Sequence, residues 1–167
     1  MPDVILIEGP VGAGKSTFAQ ALAQERQGVH IALDQWFAIL FSPDRPTTDV
    51  VPWYMEHKER LLHLIWRHSQ HVLASGKDVI LELGLIQKPG RQAFCQSVQD
   101  AGFDPKVFVL DAPRDVRRLR VQRRNTEQGA TFAMVVPEAV FEMASDLWEP
   151  PDDIECELYP VVFVPKV

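Results

Sequence analysis

Nine consecutive residues, Gly9-Pro10-Val11-Gly12-Ala13-Gly14-Lys15-Ser16-Thr17, hold three glycines, a lysine and two hydroxyls. Gly9, Gly14, Lys15 and Ser16 satisfy GxxxxGK[ST] in full, the spacing of a loop whose backbone amides surround phosphate oxygens. Glycine suits such a loop because it lets the backbone come close to the anion and adopt angles closed to other residues. The chemistry follows from the residue types: Lys15 reaches the β and γ phosphates, Ser16 ligates Mg2+, and Thr17 bonds the α phosphate. The whole stretch, Pro10, Val11 and Ala13 included, is expected to line a bound nucleoside triphosphate. No NKxD guanine-reading motif occurs, which points to ATP over GTP.

Holding a triphosphate does not decide its fate, so other polar residues must. Asp34 follows a second apolar run, where a carboxylate at the C-terminal edge of a parallel sheet can take the proton of an attacking hydroxyl. Its alternative role is a cap on a helix beginning at Gln35. Glu82 closes a third apolar run, expected beside the first, and could orient Mg2+, bind the acceptor, or be a solvated strand end. Six of the 17 Lys and Arg residues fall between Arg114 and Arg124. Arg120 and Arg124, with Arg117 one turn earlier, can share a helix face, an arrangement that calls for an anion unless it is simply solvated. Arg118 and Arg123 are expected to point elsewhere.

Arg91, just after Lys88-Pro89-Gly90, could reach a substrate or phosphate, or equally sit on the surface at a helix start. Trp36, Phe37, Phe41, Trp53 and Tyr54 gather near Asp34 in the chain. Trp36 and Phe37 are the candidate acceptor contacts, implying an apolar or planar face on the acceptor, with packing as the alternative. His57, His68 and His71 lack a Cys or acidic partner that would complete a metal-ligand set.

These residues need a frame. Residues 4–8 read as a fully buried strand, and a helix takes over at Lys15, so the glycine loop joins strand to helix. Further strands are expected over 29–33, 78–83, 106–110 and, at an edge, 159–164. Helices are expected over 35–41, 54–75, 91–101, 114–125 and 136–147. Residues 42–53 carry three prolines and are expected to be an irregular surface loop. Strands alternating with helices imply right-handed βαβ units and a parallel sheet covered on both faces.

The 167 residues suffice for one domain, and 46% hydrophobic with 24% charged residues is ordinary for a soluble globular chain. Apolar runs fall short of the roughly 20 residues that cross a bilayer, and no signal peptide is legible, so a cytoplasmic protein is expected. Cys95 and Cys156 lack disulfide or metal spacing and are expected to be reduced, Cys95 on a buried helix face. A net charge of −6 argues against nucleic acid as partner, and only Arg45, Lys58 and Arg60 lie near Asp34, among acids. A small-molecule hydroxyl acceptor fits better.

GPVGAGKST, Asp34, DVRRLRVQRRN (residues 115–125) and WEPPDDIE (residues 148–155) together resemble small bacterial P-loop kinases labelled AAA-type ATP-binding proteins. That group is similar to chloramphenicol phosphotransferase, zeta toxins and the kinase domain of polynucleotide kinase. The resemblance implies an α/β, three-layer P-loop NTPase fold in one domain, residues 1–167. Its parallel five-stranded sheet would run in the order 2-3-1-4-5. An acceptor cap would lie about 35–60 and an arginine-bearing lid about 114–135. It also implies Lys15 and Ser16 at ATP and Mg2+, Asp34 as base, and Arg120 and Arg124 as lid arginines. The sensor and arginine-finger elements of larger AAA+ proteins are not found. Neither is the DxD of shikimate kinases, since Gln35-Trp36 follows Asp34, nor the gluconate kinase pattern. The expected activity is transfer of the γ-phosphoryl group of MgATP to a hydroxyl of an antibiotic-like molecule, sugar or nucleoside. Kinases of polynucleotide 5′ ends or nucleotide sugars, and an ATP-binding switch with weak ATPase activity, are the alternatives.

Overall fold

Val-Ile-Leu-Ile-Glu is buried at all five positions of β1 (Val4–Glu8) because the strand lies mid-sheet with a parallel neighbour on either side and layers above and below. A computed structural model describes residues 1–165. The chain continues through α1 (Lys15–Arg26), β2 (Val29–Ala32), α2 (Leu33–Leu40), a 3-10 turn (Ser42–Asp44), α3 (Val50–Ala74), β3 (Val79–Glu82) and α4 (Lys88–Asp100). β4 (Pro105–Val109), α5 (Arg114–Glu127), α6 (Glu138–Leu147), α7 (Asp153–Leu158) and β5 (Val161–Phe163) complete it. The five strands are all parallel in the order β2-β3-β1-β4-β5, the kinase-like arrangement of a P-loop fold.

Alternation along β1 divides the interior into two layers. Val4 and Leu6 face a large cluster with Leu61 and Ile65 of α3 and Phe94, Cys95 and Val98 of α4. Ile5 and Ile7 face the opposite way, against Ala19, Phe18 and Leu22 of α1. Because the strands are parallel, each delivers its C-terminal end to the same edge, where Gly9, Asp34 and Glu82 lie.

Several boundaries differ from the sequence expectation for one reason: proline in the first turn of a helix costs nothing, since that N–H has no intrahelical partner. α3 begins at Val50 with Pro52 inside it, so the irregular segment is shorter than residues 42–53, and Pro43 lies in the 3-10 turn. α4 likewise begins at Lys88 with Pro89 in its first turn, three residues before the expected start. α2 begins at Leu33, which puts Asp34 on the helix. α7 was not anticipated. Its N-cap is Asp152, whose carboxylate accepts from the Glu155 amide at 2.9 Å. Among the described residues no helix is long and apolar enough to cross a membrane.

Candidate active site

The glycine loop leaves β1 at Glu8 and is shaped by the protein's own packing as much as by any ligand. A Cβ on Gly9 would sit 2.1 Å from the Leu110 carbonyl oxygen beyond β4, and one on Gly12 would sit 2.7 Å from the Arg117 carbonyl oxygen of α5. The crowding expected from a phosphate is thus already present from the backbone of two neighbouring elements.

Lys15, the first residue of α1, donates from Nζ to the carbonyl oxygens of Gly9 and Pro10 at 2.8 and 2.9 Å. Burial lowers its pKa, while the charges of Glu82, Glu8 and Asp34 work to keep the ammonium charged. The next residue, Ser16, lies beside the end of β3, where its hydroxyl donates to Glu82 Oε1 at 2.6 Å. The other carboxylate oxygen meets His30 Nε2 of β2 at 3.0 Å. Burial disfavours the Glu82 carboxylate, yet the hydrogen bonds from His30 and Ser16 and the charge of Lys15 hold its pKa below the ordinary value. A hydroxyl and an ionised carboxylate in contact, beside a phosphate loop, make an oxygen donor set that fits Mg2+, which keeps most of its shell as water and phosphate. No group of three or more His, Cys, Asp or Glu side chains suited to a metal occurs among the described residues, so the protein's share of such a shell would be small.

On the other side of the loop α5 supplies arginines. A cleft of about 240 Å3 is lined by Gly12, Gly14, Thr17, Arg120, Arg124 and Gly129 among others. Arg120 Nη1 reaches toward the Gly12 carbonyl at 3.4 Å, and the buried Nε of Arg124 has no partner among the described residues. Arg123 also borders this cleft, contrary to the expectation that it points elsewhere, while its Nε pairs with Glu127 at 2.8 Å. Arg118 is taken up by Asp115 and Glu142. Arg117 does not join the row: it is buried, donating to the carbonyls of Ala112 and Val11 and to Ser145 Oγ, each at 3.0 Å. It straps the glycine loop to α5 and α6.

Asp34 projects from the first turn of α2, exposed, with Ala32 at the N-cap and no side-chain capping bond, so the capping alternative does not describe it. It lies close enough to Lys15 of α1 and to Tyr54 and Lys58 of α3 to influence the titration of all three.

Two proposed contacts need correction. Arg91 is fully buried and gives Nε and Nη2 to Glu155 at 3.0 and 2.8 Å and Nη1 to the Leu85 carbonyl at 3.1 Å, with its guanidinium 5.4 Å from the Trp148 ring. A guanidinium so enclosed on α4 is out of a substrate's reach. Phe37 is 3% exposed and packs on Phe41, Trp53 and Tyr54, so it belongs to the core. Trp36 is half-buried against the same core, its ring 6.0 Å from that of His68.

Three residues of this region were given no site role from the sequence: Lys58, Glu8 and His30, the last of which meets Glu82. Lys58 donates from Nζ to the Gly84 carbonyl at 2.9 Å. Its signal was its place on the inward α3 face Tyr54, Lys58, Leu61, Ile65, half-buried at the first two and buried at the last two, the spacing of one helical face. Glu8 is fully buried, with Oε2 accepting from the Leu85 amide at 3.1 Å and Oε1 without a partner among the described residues. Burial, opposed by Lys15, Arg91 and Lys58, pushes its pKa up to about 7. An acid closing an otherwise apolar strand just before Gly9 was its signal.

A glycine-rich phosphate loop after the central strand of a parallel sheet ordered 2-3-1-4-5 defines a P-loop nucleotide-binding protein of the kinase-like type. The chain belongs to the AAA domain family, whose pattern matches residues 4–151. No curated protein matches it. Among solved structures it is similar to an unliganded sugar kinase from Janibacter sp. HTCC2649, 15% identical, over 98% of this chain and 85% of that one, with a TM-score of 0.66. Kti12 from Chaetomium thermophilum, in complex with ADP-AlF3, is 16% identical over 96% and 88% of the two chains, TM-score 0.73. A gluconokinase from Sinorhizobium meliloti 1021 is 20% identical over 99% and 85%, TM-score 0.57. At these identities the likeness is one of fold.

Proposed function

We propose that the protein is a phosphotransferase that moves the γ-phosphoryl group of MgATP to a hydroxyl of a small molecule. The observation that carries this reading is Asp34: an exposed carboxylate with no structural duty, on the same sheet edge as Lys15 and near enough to interact with its charge. Bound at the glycine loop, MgATP would supply the phosphoryl group and an electrophilic phosphorus. Lys15, the loop amides and the N-terminus of α1 hold the phosphates, and Ser16 with Glu82 holds the cation side. Asp34 accepts the proton of the acceptor hydroxyl as its oxygen bonds to the γ-phosphorus and ADP departs. Arg120 and Arg124 neutralise charge on the transferring group and exclude water.

The likeness to a sugar kinase and a gluconokinase supports transfer chemistry without choosing the acceptor. A small acceptor is favoured over nucleic acid because Arg60 is paired with Glu56 and Lys58 is bonded to Gly84. Of Arg45, Lys58 and Arg60, only Arg45 then remains for a phosphate backbone.

The test is incubation with MgATP and a panel of hydroxylated antibiotics, sugars, nucleosides and 5′-hydroxyl oligonucleotides, read by mass spectrometry for the gain of one phosphoryl group. Lys15→Ala is expected to abolish nucleotide turnover, and Asp34→Asn to bind ATP and lose transfer. Undiminished transfer by Asp34→Asn removes Asp34 from the chemistry. Slow hydrolysis that no panel member accelerates replaces the kinase reading with that of an ATP-dependent switch.

A further inference from the structure

His30 takes no part in the proposed transfer, yet it holds one end of the Glu82 carboxylate. It lies on β2, the edge strand, in register with Ile80 of β3, while Glu82 stands opposite Ala32 two residues further on. Ala32 is small, and the imidazole reaches diagonally along the neighbouring strand to bring Nε2 within 3.0 Å of Glu82 Oε2. Ile80 packs with Ile5, Ile7 and Ala19, so this face of the sheet is the one covered by α1. From the start of α1, Ser16 donates to Glu82 Oε1 at 2.6 Å. Three elements, β2, β3 and α1, thus meet in one chain of hydrogen bonds.

A carboxylate can only accept, so Nε2 of His30 carries a proton and donates it. Each oxygen of Glu82 then has a protein donor, and the carboxylate is fixed from two sides. The consequence falls on Ser16. A hydroxyl has one proton and two lone pairs, and here the proton is committed to Glu82, so the oxygen offers lone pairs to anything else that approaches. That is the form a cation needs. The His30 and Glu82 side chains each keep only 13% of their surface exposed, so water competes little for these bonds.

We propose that His30 is a positioning residue for the cation side of the nucleotide site: by holding Glu82 Oε2 it turns Oε1 to the Ser16 proton and leaves the serine oxygen set to bind Mg2+. The proposal rests on the reading of Ser16 and Glu82 as the cation side, and it is independent of which hydroxyl is the acceptor. It gives the edge strand β2 a task at the site through the one side chain that reaches Glu82 from it. Partners that orient a metal-binding group in this way are worth roughly 10–100-fold in metal affinity. A histidine that only filled the strand would act on folding and leave the cation's share of nucleotide binding as it was.

The test uses the full chain with ADP and Mn2+, an oxygen-binding stand-in for Mg2+, and no acceptor. ADP affinity is measured by calorimetry in EDTA and with Mn2+, and Mn2+ binding to the ADP complex by electron paramagnetic resonance. The variants are His30→Gln, whose amide can donate from the place of Nε2, and His30→Asn, whose shorter amide reaches only the place of Nδ1. His30→Asn is expected to keep ADP affinity in EDTA and to weaken Mn2+ binding roughly 10–100-fold, and His30→Gln to recover most of that loss. In the ligand-free protein the imidazole 15N resonances of His30 should show a proton on Nε2. Unchanged Mn2+ affinity in His30→Asn overturns the proposal. So does a loss of ADP affinity equal with and without metal, or a His30→Gln protein no better than His30→Asn. Should His30→Asn not fold, an unprotonated Nε2 in the unmodified protein overturns it instead. Glu82→Gln separates the two readings: if it weakens Mn2+ binding and His30→Asn does not, only the role of His30 fails. If Glu82→Gln also binds Mn2+ at full strength, the failure lies in assigning Glu82 to the cation, and the role of His30 falls with it.

Discussion

Replacing Glu155 by leucine strands the guanidinium of Arg91 in the interior. Both side chains are fully buried and joined by two hydrogen bonds of 3.0 and 2.8 Å, while Tyr159 donates its hydroxyl to the same carboxylate at 2.5 Å. Without the carboxylate, Arg91 keeps only the Leu85 carbonyl as acceptor. Breaking a buried pair in this way costs about 3–5 kcal/mol, because a charge remains out of water unanswered. For a chain of 167 residues each kcal/mol lowers Tm by roughly 2–4 °C, so a fall of about 6–20 °C is expected. Arg91→Met combined with Glu155→Leu removes both charges. It should recover most of the loss, less about 1–3 kcal/mol for the Tyr159 hydroxyl left unpaired. Urea and thermal unfolding of the four proteins of this cycle give the coupling directly. ATP affinity should stay level across the folded members, since no atom of Arg91 borders the nucleotide cleft. The reasoning is refuted if Glu155→Leu unfolds at the wild-type midpoint, or if Arg91→Met is as stable as wild type and loses transfer, which would return Arg91 to the chemistry.

Glu8 links stability to pH. Its folded pKa of about 7 stands above the ordinary 4.5, so the contribution is complete below about pH 4.5 and is lost as pH rises through 7, amounting to roughly 3 kcal/mol. Glu8→Gln, which keeps the neutral form's shape, should flatten this dependence in urea midpoints taken between about pH 5 and pH 8. An unchanged slope assigns the effect to other groups. Gly12→Ala drives a Cβ to 2.7 Å from the Arg117 carbonyl and strains a φ of +80°, so the loop must part from α5 and ATP affinity should fall in a fluorescent-nucleotide titration. Gly14→Ala has a comparable φ of +95° but no neighbour within 4 Å, and should lose less. Equal losses would place the cause in backbone strain alone.

Much of the frame was legible in the chain because its signals are local. Val4-Ile-Leu-Ile followed by GxxxxGKS announces a buried strand, a phosphate loop and a helix without any long-range contact, and the repeated strand-helix alternation implies a parallel sheet. Helix starts were misplaced where Pro52 and Pro89 read as breakers, since a first-turn proline and a loop proline look alike in sequence and only the backbone around them tells them apart.

The site divides along the same line. Lys15 and Ser16 are set by spacing from Gly9, so the chain alone determined which face of α1 they occupy. The partners of Arg91, Arg117 and Lys58 lie 64, 106 and 26 residues away. An arginine's type announces a charge, but whether that charge meets a substrate, a buried carboxylate or a loop carbonyl depends on which elements the fold brings beside it. Glu155 claimed Arg91, Val11 claimed Arg117, and Gly84 claimed Lys58. Coulomb and desolvation terms act over a few ångströms of space, whatever the separation along the chain, and that is the information only the tertiary structure holds.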